Sequence, residues 1–164
     1  MRAKQLGRAR SWTLAVLCVV ACGEVQEDGD LGVIDGIATS AAGIRSFLRD
    51  KAYGDWRAEP AIHASTGPHG RVRVYFNDVL ATSLESDATT FPLGAASVKE
   101  LYDDTTLSGY AFMLKVQESG APEAWLWWEG FAPEFEAQVY GRGIGGCDGC
   151  HGQGRDKVVS RLPE

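Results

Sequence analysis

Cysteine, methionine and long apolar runs are all scarce in this chain. Its 164 residues hold four cysteines, Cys18, Cys22, Cys147 and Cys150, and two methionines, Met1 and Met113. No apolar stretch reaches the roughly 20 residues that cross a bilayer as a helix. The one near the N-terminus, Trp12 to Ala21 (WTLAVLCVVA), falls well short of that. Positive charge is also in deficit, with 16 Lys and Arg against 22 Asp and Glu and a formal net charge of −6. That balance argues against nucleic acid as a partner and against docking to anionic lipid through basic patches. No internal repeat with a period of about 20 residues or more is visible, which sets repeat architectures aside.

What is present begins with an address. Arg2, Lys4, Arg8 and Arg10 precede the apolar run, the layout of a secretory signal. The run ends in Val19-Val20-Ala21-Cys22-Gly23, which resembles a bacterial lipobox. That resemblance implies cleavage before Cys22, acylation of its sulfur, and anchoring by acyl chains at roughly 0.8 kcal/mol per buried methylene. The alternative is an ordinary signal peptide with a coincidental cysteine. No Asp follows Cys22, which by analogy with lipoprotein sorting points to the outer membrane and a periplasm-facing or cell-surface location. We therefore divide the chain into a signal at 1–21, a Glu-, Asp- and Gly-rich flexible tether at 22–36, and one folded domain at 37–164. Cleavage leaves 143 residues, and of the 16 basic residues 12 remain against all 22 acidic ones, a balance of −10. Cys18 leaves with the signal and Cys22 is taken by lipid, so only Cys147 and Cys150 remain and no disulfide framework is available beyond that pair.

Within the domain, Thr39 to Asp55 reads as a helix, with Ile44, Phe47 and Leu48 three to four residues apart and Thr39 or Ser40 as its cap. His63 to Gly70 (HASTGPHG) is turn chemistry. The period then changes to two. Arg71 to Phe76 is the first strand, broken by Asn77-Asp78, and Val79 to Leu84 is a short helical turn. Further strands are expected at Ala95–Tyr102, Tyr110–Gln117 and Ala124–Phe131, joined by short Gly- and Pro-containing connections that favour antiparallel hairpins. The expectation is an α+β fold: an antiparallel sheet of four to five strands with helical segments at the N- and C-terminal ends.

The chemistry-bearing motif lies near the C-terminus. Gly146-Cys147-Asp148-Gly149-Cys150-His151 contains C-x-x-C-H. Two thiols one helical turn apart match the two vinyl groups of one haem, and the next residue, His151, is placed to give the iron an axial imidazole. Gly145, Gly146 and Gly149 let the backbone approach a flat macrocycle. An export signal suits this reading, because haem is attached to such motifs outside the bacterial cytoplasm. Two rivals use the same residues: a zinc site of Cys147, Cys150, His63 and His69, and a redox disulfide between Cys147 and Cys150. The pattern before the pair lacks the strand-to-helix passage expected of the second. An ordinary small electron-transfer cytochrome places its haem motif early and a Met ligand far downstream. Here 13 residues follow His151, none of them Met.

The order and spacing of several short pieces resemble the cytochrome P-460 and cytochrome c′-beta family, from about Trp56 to Leu162. The pieces are His69-Gly70-x-Val72-Arg73-Val74-Tyr75-x-Asn77, then Phe91-Pro92-x-Gly94 leading to Val98-Lys99-Glu100-Leu101. Gly109-Tyr110-x-x-Met113-x-Lys115 follows, then Trp125-Leu126-Trp127-Trp128, then Cys147-x-x-Cys150-His151 with Asp156-x-Val158. The resemblance implies a largely antiparallel β fold, often a homodimer, carrying one five-coordinate haem c. In cytochromes P-460 a lysine of the Val-Lys-Glu strand is bonded to the haem ring, and Lys99 holds that position. In cytochromes c′-beta the cross-link is absent.

Other residues carry paired readings. Met113 is an iron ligand or core packing. His69 is a turn residue, a sixth ligand or a distal acid. Trp128 and its neighbours are core or haem wall. Arg73, Arg142 and Arg155 are partners for haem propionates or surface charges. Three functional classes follow. The first is a haem protein with an open iron position that binds or oxidises small nitrogen species, nitric oxide or hydroxylamine, and exchanges electrons with a redox partner cytochrome. The second is a six-coordinate electron carrier, and the third a zinc-stabilised binding lipoprotein.

Overall fold

The β-branched and aromatic residues between positions 71 and 142 are buried in consecutive runs because they form one sheet with a core on each face, and successive side chains enter opposite cores. A computed structural model describes residues 29–86 and 88–163. The expected signal segment, Cys22 and residues 23–28 of the expected tether lie outside the described residues.

The chain first makes a small hairpin, β1 (Val33–Ile34) with β2 (Ile37–Ala38), turning through Asp35 and Gly36 at φ of 49° and 77°. Residues 29–36, inside the stretch expected to be a tether, thus take part in the fold. Ile37 is buried and joins the core, which is why the chain is fixed from this point. Helix α1 follows at Ala41–Arg49. The Ser40 side chain accepts from the Gly43 N–H at its start, and Ile44 and Leu48 are buried on one face. The helix stops earlier than its sequence pattern suggests, because Lys51 turns at φ 51°.

The main sheet has seven strands. β3 (Arg57–Ala58) and β4 (His63–Ala64) both pair with one edge of β5 (Arg71–Phe76). The order then runs β5, β6 (Ala96–Asp103), β7 (Thr106–Lys115), β8 (Trp125–Phe131) and β9 (Glu136–Arg142), each antiparallel to the next. Between β5 and β6, α2 (Asp78–Glu85) is capped by Asn77. Its Oδ1 accepts from the Leu80 and Ala96 N–H groups and its Nδ2 donates to the Gly94 carbonyl. One side chain ends a strand, starts a helix and fixes the entry to β6. The last element is α3, Gly145–His151. The fold is therefore α+β with an antiparallel sheet, as expected, but with more strands than the four to five anticipated. β3 and β4 are two-residue edge pairings too short to carry a pattern. β9 alternates exposed and half-buried residues along an edge, so it lacks the apolar content that marks the central strands.

Pleating divides the sheet residues between the two cores. Val98, Tyr110, Phe112, Leu114, Leu126 and Trp128 face α1, and the Trp128 indole donates to the Ala41 carbonyl at 3.2 Å. Val72, Val74, Phe76, Met113, Trp125 and Trp127 face α2 and the C-terminal segment. The α1 side also buries Glu100, only 1 % exposed. Its carboxylate accepts from the hydroxyls of Tyr53 at 2.7 Å and Tyr75 at 3.1 Å, from Tyr102, and from Lys51 at 3.2 Å. Burial alone would raise its pKa, but the Tyr102 and Tyr53 hydrogen bonds and the Lys51 charge outweigh this and hold it below the ordinary carboxylate range. Burial and the same carboxylate push the Tyr53 and Tyr102 phenols upward.

A carboxyl group depressed by folding stabilises the fold fully above its unfolded pKa, and that contribution is lost as pH falls through the folded value. Thermal melts should therefore show stability declining below about pH 4. Glu100→Gln should cost about 2 kcal/mol at neutral pH and weaken the acid limb; an unchanged acid limb would contradict this assignment.

Candidate functional site

The register of four strands builds a floor. Lys99 stands opposite Ala111, Ala111 opposite Glu129, and Glu129 opposite Val139, forming one row across β6 to β9. Two residues away along each strand, Ser97, Met113 and Trp127 form a second row on the same face. Small residues at Ser97 and Ala111 leave room above the sheet. The cavity over this floor has a volume of about 240 Å³, and about 930 Å³ when the space at its mouth is included. Its other walls come from Pro68 and His69 of the β4–β5 loop, from Ile144, Gly146, Cys147, Cys150 and His151 of α3 and its entry, and from Val158 to Ser160.

Gly146, Cys147, Cys150 and His151 of the C-x-x-C-H segment border this one cavity, as do Lys99, His69 and Met113, whereas Gly145 and Gly149 do not. Trp128 borders it as well, but its indole is packed on the α1 side of the sheet. The tryptophan ring that meets the site is Trp127, 4.7 Å from the His151 ring at 67°. Met113 is 5 % exposed and packed in the sheet core. Arg73, Arg142 and Arg155 do not line the cavity. Arg73 donates to the Glu59 carbonyl and Arg142 to that of Glu123. Arg155 donates to the carbonyls of Ser83, Leu84 and Ser86 at the end of α2, where a guanidinium satisfies otherwise unpaired helix acceptors.

Helix α3 is seven residues long and three of them are glycine, so its own propensity cannot hold it. Its position depends on the tail that follows. Asp156 and Lys157 adopt φ of 44° and 71°, conformations that cost side-chain-bearing residues energy. A buried anchor holds this turn. The Asp156 carboxylate takes two contacts of 2.7 and 2.8 Å from the Lys115 ammonium and accepts from the Phe91 N–H and the Trp125 indole. Lys115 and Asp156 side chains are 0 % and 2 % exposed. The turn presents the Lys157 carbonyl to His151 Nδ1 at 2.8 Å, while the Lys157 ammonium reaches back to Asp148 within α3 at 2.7 Å. A carbonyl acceptor puts the imidazole proton on Nδ1 and leaves Nε2 as the lone-pair nitrogen, the arrangement that a metal-ligating histidine uses. Burial lowers the His151 pKa, against the Lys157 carbonyl, which acts the other way.

Two polar groups at the cavity have no partner among the described residues. Lys99 makes no hydrogen bond or ion pair there, and burial lowers its pKa although Glu59 and Glu129 oppose the shift. The Trp127 indole N–H is buried and unsatisfied. Buried polar atoms are normally paired, so the unsatisfied Trp127 indole marks a wall able to donate to a bound group. A flat, mostly apolar group with polar edges fits such walls. At Gly145, Gly146 and Gly149 an added Cβ would meet nothing within 4 Å, consistent with open room beside α3.

The zinc reading is not assembled here. His63 binds Glu59 at 2.8 Å and the Ala64 carbonyl at 2.9 Å, away from the cavity, and among the described residues no three His, Cys, Asp or Glu side chains cluster as metal ligands. Cys150 is exposed and forms no disulfide, so it is not bonded to Cys147. Sequence reasoning singled out neither Glu129, nor Trp127 from within the tryptophan cluster, nor the Lys157 carbonyl. The first two follow from strand parity once Lys99 is set opposite Ala111; the third is a main-chain atom with no side-chain signature. Comparison with protein-family models, with curated proteins and with solved structures finds no match to this chain. Among the described residues no helix is long and apolar enough to cross a membrane.

Asp156→Ala should leave the Lys115 charge buried and uncompensated, a loss of about 3–5 kcal/mol by chemical denaturation. A loss under 1 kcal/mol would show that the anchor does not hold the turn.

Proposed function

We propose that this chain is an exported, lipid-anchored mono-haem c protein of the kind its sequence resembles, cytochrome P-460 and cytochrome c′-beta. In this reading it binds or oxidises small nitrogen species, nitric oxide or hydroxylamine, at the haem iron. The observation that carries the reading is the His151 imidazole. Its Nδ1 is committed to the Lys157 carbonyl, and it borders one cavity together with both cysteines of its motif. The Cys147 and Cys150 thiols would each add across one vinyl group, forming a carbon–sulfur bond and passing the thiol hydrogen to the other vinyl carbon. The bound group supplies a redox-active iron with a position for an external ligand.

The protein's own residues then have distinct roles. His151 would ligate the iron, and the Lys157 carbonyl fixes its tautomer and ring direction. Ala111, Val139, Ile144 and Val158 give apolar contact and keep water from the ring, which suits a neutral diatomic ligand. Glu129 and His69 provide a carboxylate and an imidazole at the same cavity, where oxidation of hydroxylamine would need its protons taken up. Lys99, which borders the cavity with its pKa lowered, would be the residue to bond to the ring edge in the manner of cytochromes P-460, a step that replaces one N–H and one ring C–H by an N–C bond and so requires a two-electron oxidant such as a peroxide. Cleavage of residues 1–21, lipidation of Cys22, an outer-membrane location, a cytochrome redox partner and a homodimer complete the proposal on the strength of the sequence.

Protein matured with a working haem-attachment system should be coloured, and its ferrous form should bind nitric oxide with a change in the Soret band. Colourless protein with unmodified thiols would refute the reading. Lys99→Ala should shift the ferrous Soret band if the amine is bonded to the ring. An unchanged spectrum would leave the cytochrome c′-beta type, without the cross-link.

A further inference from the structure

Among the described residues five large apolar side chains are exposed: Leu31, Val33, Leu93, Phe131 and Val159. Three of the five gather where the chain enters the fold. Val33, 68 % exposed, stands opposite the exposed Ala38 across the β1–β2 hairpin, and Leu31 precedes it on the same arm. Leu93 lies beside the hairpin turn, since an added Cβ at the next residue, Gly94, would meet the Asp35 side chain at 3.1 Å. Single exposed apolar residues need no explanation, but a group of them marks an interaction surface.

The inner side of the hairpin is already packed: Ile37 is buried and Ile34 lies against the α1 core. Thr39 braces the same arm, accepting the Leu31 N–H on its hydroxyl at 2.7 Å and donating its own N–H to the Gly32 carbonyl at 2.8 Å. Gly29 is buried where an added Cβ would meet Leu126 and Tyr140 at 2.7 Å, which fixes the entry of the chain at one end of the sheet. Six residues separate Cys22 from Gly29, a span of at most about 25 Å. An acyl group on Cys22 therefore holds this patch close to a bilayer. Docking becomes an intramolecular event, for which a few apolar side chains suffice.

We propose that the outer face of the β1–β2 hairpin, with Leu31, Val33 and Leu93, docks on the phospholipid surface that holds the acylated Cys22. This rests on the lipid-anchor reading above and deepens it, giving the anchored domain a defined contact with lipid. The charge pattern selects zwitterionic headgroups. From Cys22 to Ser40 there is no Lys or Arg, while Glu24, Glu27, Asp28, Asp30 and Asp35 are acidic. On zwitterionic lipid the contact is thus apolar and insensitive to salt, whereas anionic lipid repels it. The hairpin packs on the α1 face of the sheet and the cavity lies over the other face, so docking through the hairpin does not use the cavity face.

The test uses the full exported chain, bound to phosphatidylcholine vesicles, with photoreactive benzoylphenylalanine placed in turn at positions 33, 93 and 105. Thr105, exposed in the β6–β7 turn, is the control, because the length of β6 carries it about 25 Å from the hairpin end of the sheet. Irradiation should give lipid adducts, read by mass spectrometry, at 33 and 93 and none at 105, with no effect of added salt. Leu31→Asp combined with Val33→Asp should remove the adduct at 93 while the protein stays on the vesicles. Equal adducts at all three positions, or none at 33 and 93 in vesicle-bound protein, would overturn the proposal and leave the lipid anchor standing. So would a chain-to-chain adduct at 33 or 93, which places a second copy on this face. Protein that carries no acyl chain on Cys22 and does not sediment with vesicles overturns the anchor and the docking together.

Discussion

The site depends on one hydrogen bond, from His151 Nδ1 to the Lys157 carbonyl. A seven-residue helix rich in glycine has no means of fixing the direction of its last side chain. The direction comes from six residues downstream, where two consecutive residues with positive φ turn the chain back. Such a turn persists only when its surroundings compensate for its cost. Here they do so through Asp156, whose carboxylate is bonded to Lys115 on the last position of β7, to the Phe91 amide and to the Trp125 indole. The central strands of the sheet thus control the orientation of an imidazole on a helix they do not contain.

This linkage gives the two faces of the sheet different tasks. The α1 face is a conventional core with a carboxylate, Glu100, fully occupied by three hydroxyls and an ammonium. The other face leaves an amine and an indole N–H without partners, close to two thiols and two imidazoles. Neighbouring residues on β6, Lys99 and Glu100, point to opposite faces and so meet opposite conditions. One is satisfied by hydrogen bonds from the protein, and the other borders the cavity.

Much of this was legible in the sequence, and the exceptions have physical causes. Arg71 to Phe76 matched its strand residue for residue, because a β-branched run of period two bounded by Gly70 and Asn77 admits little else. Ser40, as a cap, and the Ile44 and Leu48 spacing located α1. The C-x-x-C-H motif located the candidate ligands, since its spacing is itself the chemical requirement. What could not be read were features set by register and by the main chain. Trp127 and Trp128 are adjacent in sequence, and only pairing decides which indole faces the cavity. Glu129 becomes a cavity residue only when β7 and β8 are aligned. Arg73, Arg142 and Arg155 each donate to backbone carbonyls, contacts that need the positions of α2 and the loops to be known.

The most direct test of the central claim is the mass of the tryptic peptide from Gly143 to Arg155, taken from protein exported in cells that attach haem. The account predicts a peptide heavier by one haem, bonded through Cys147 and Cys150. Recovery of that peptide at its unmodified mass, with both thiols open to alkylation, would contradict it.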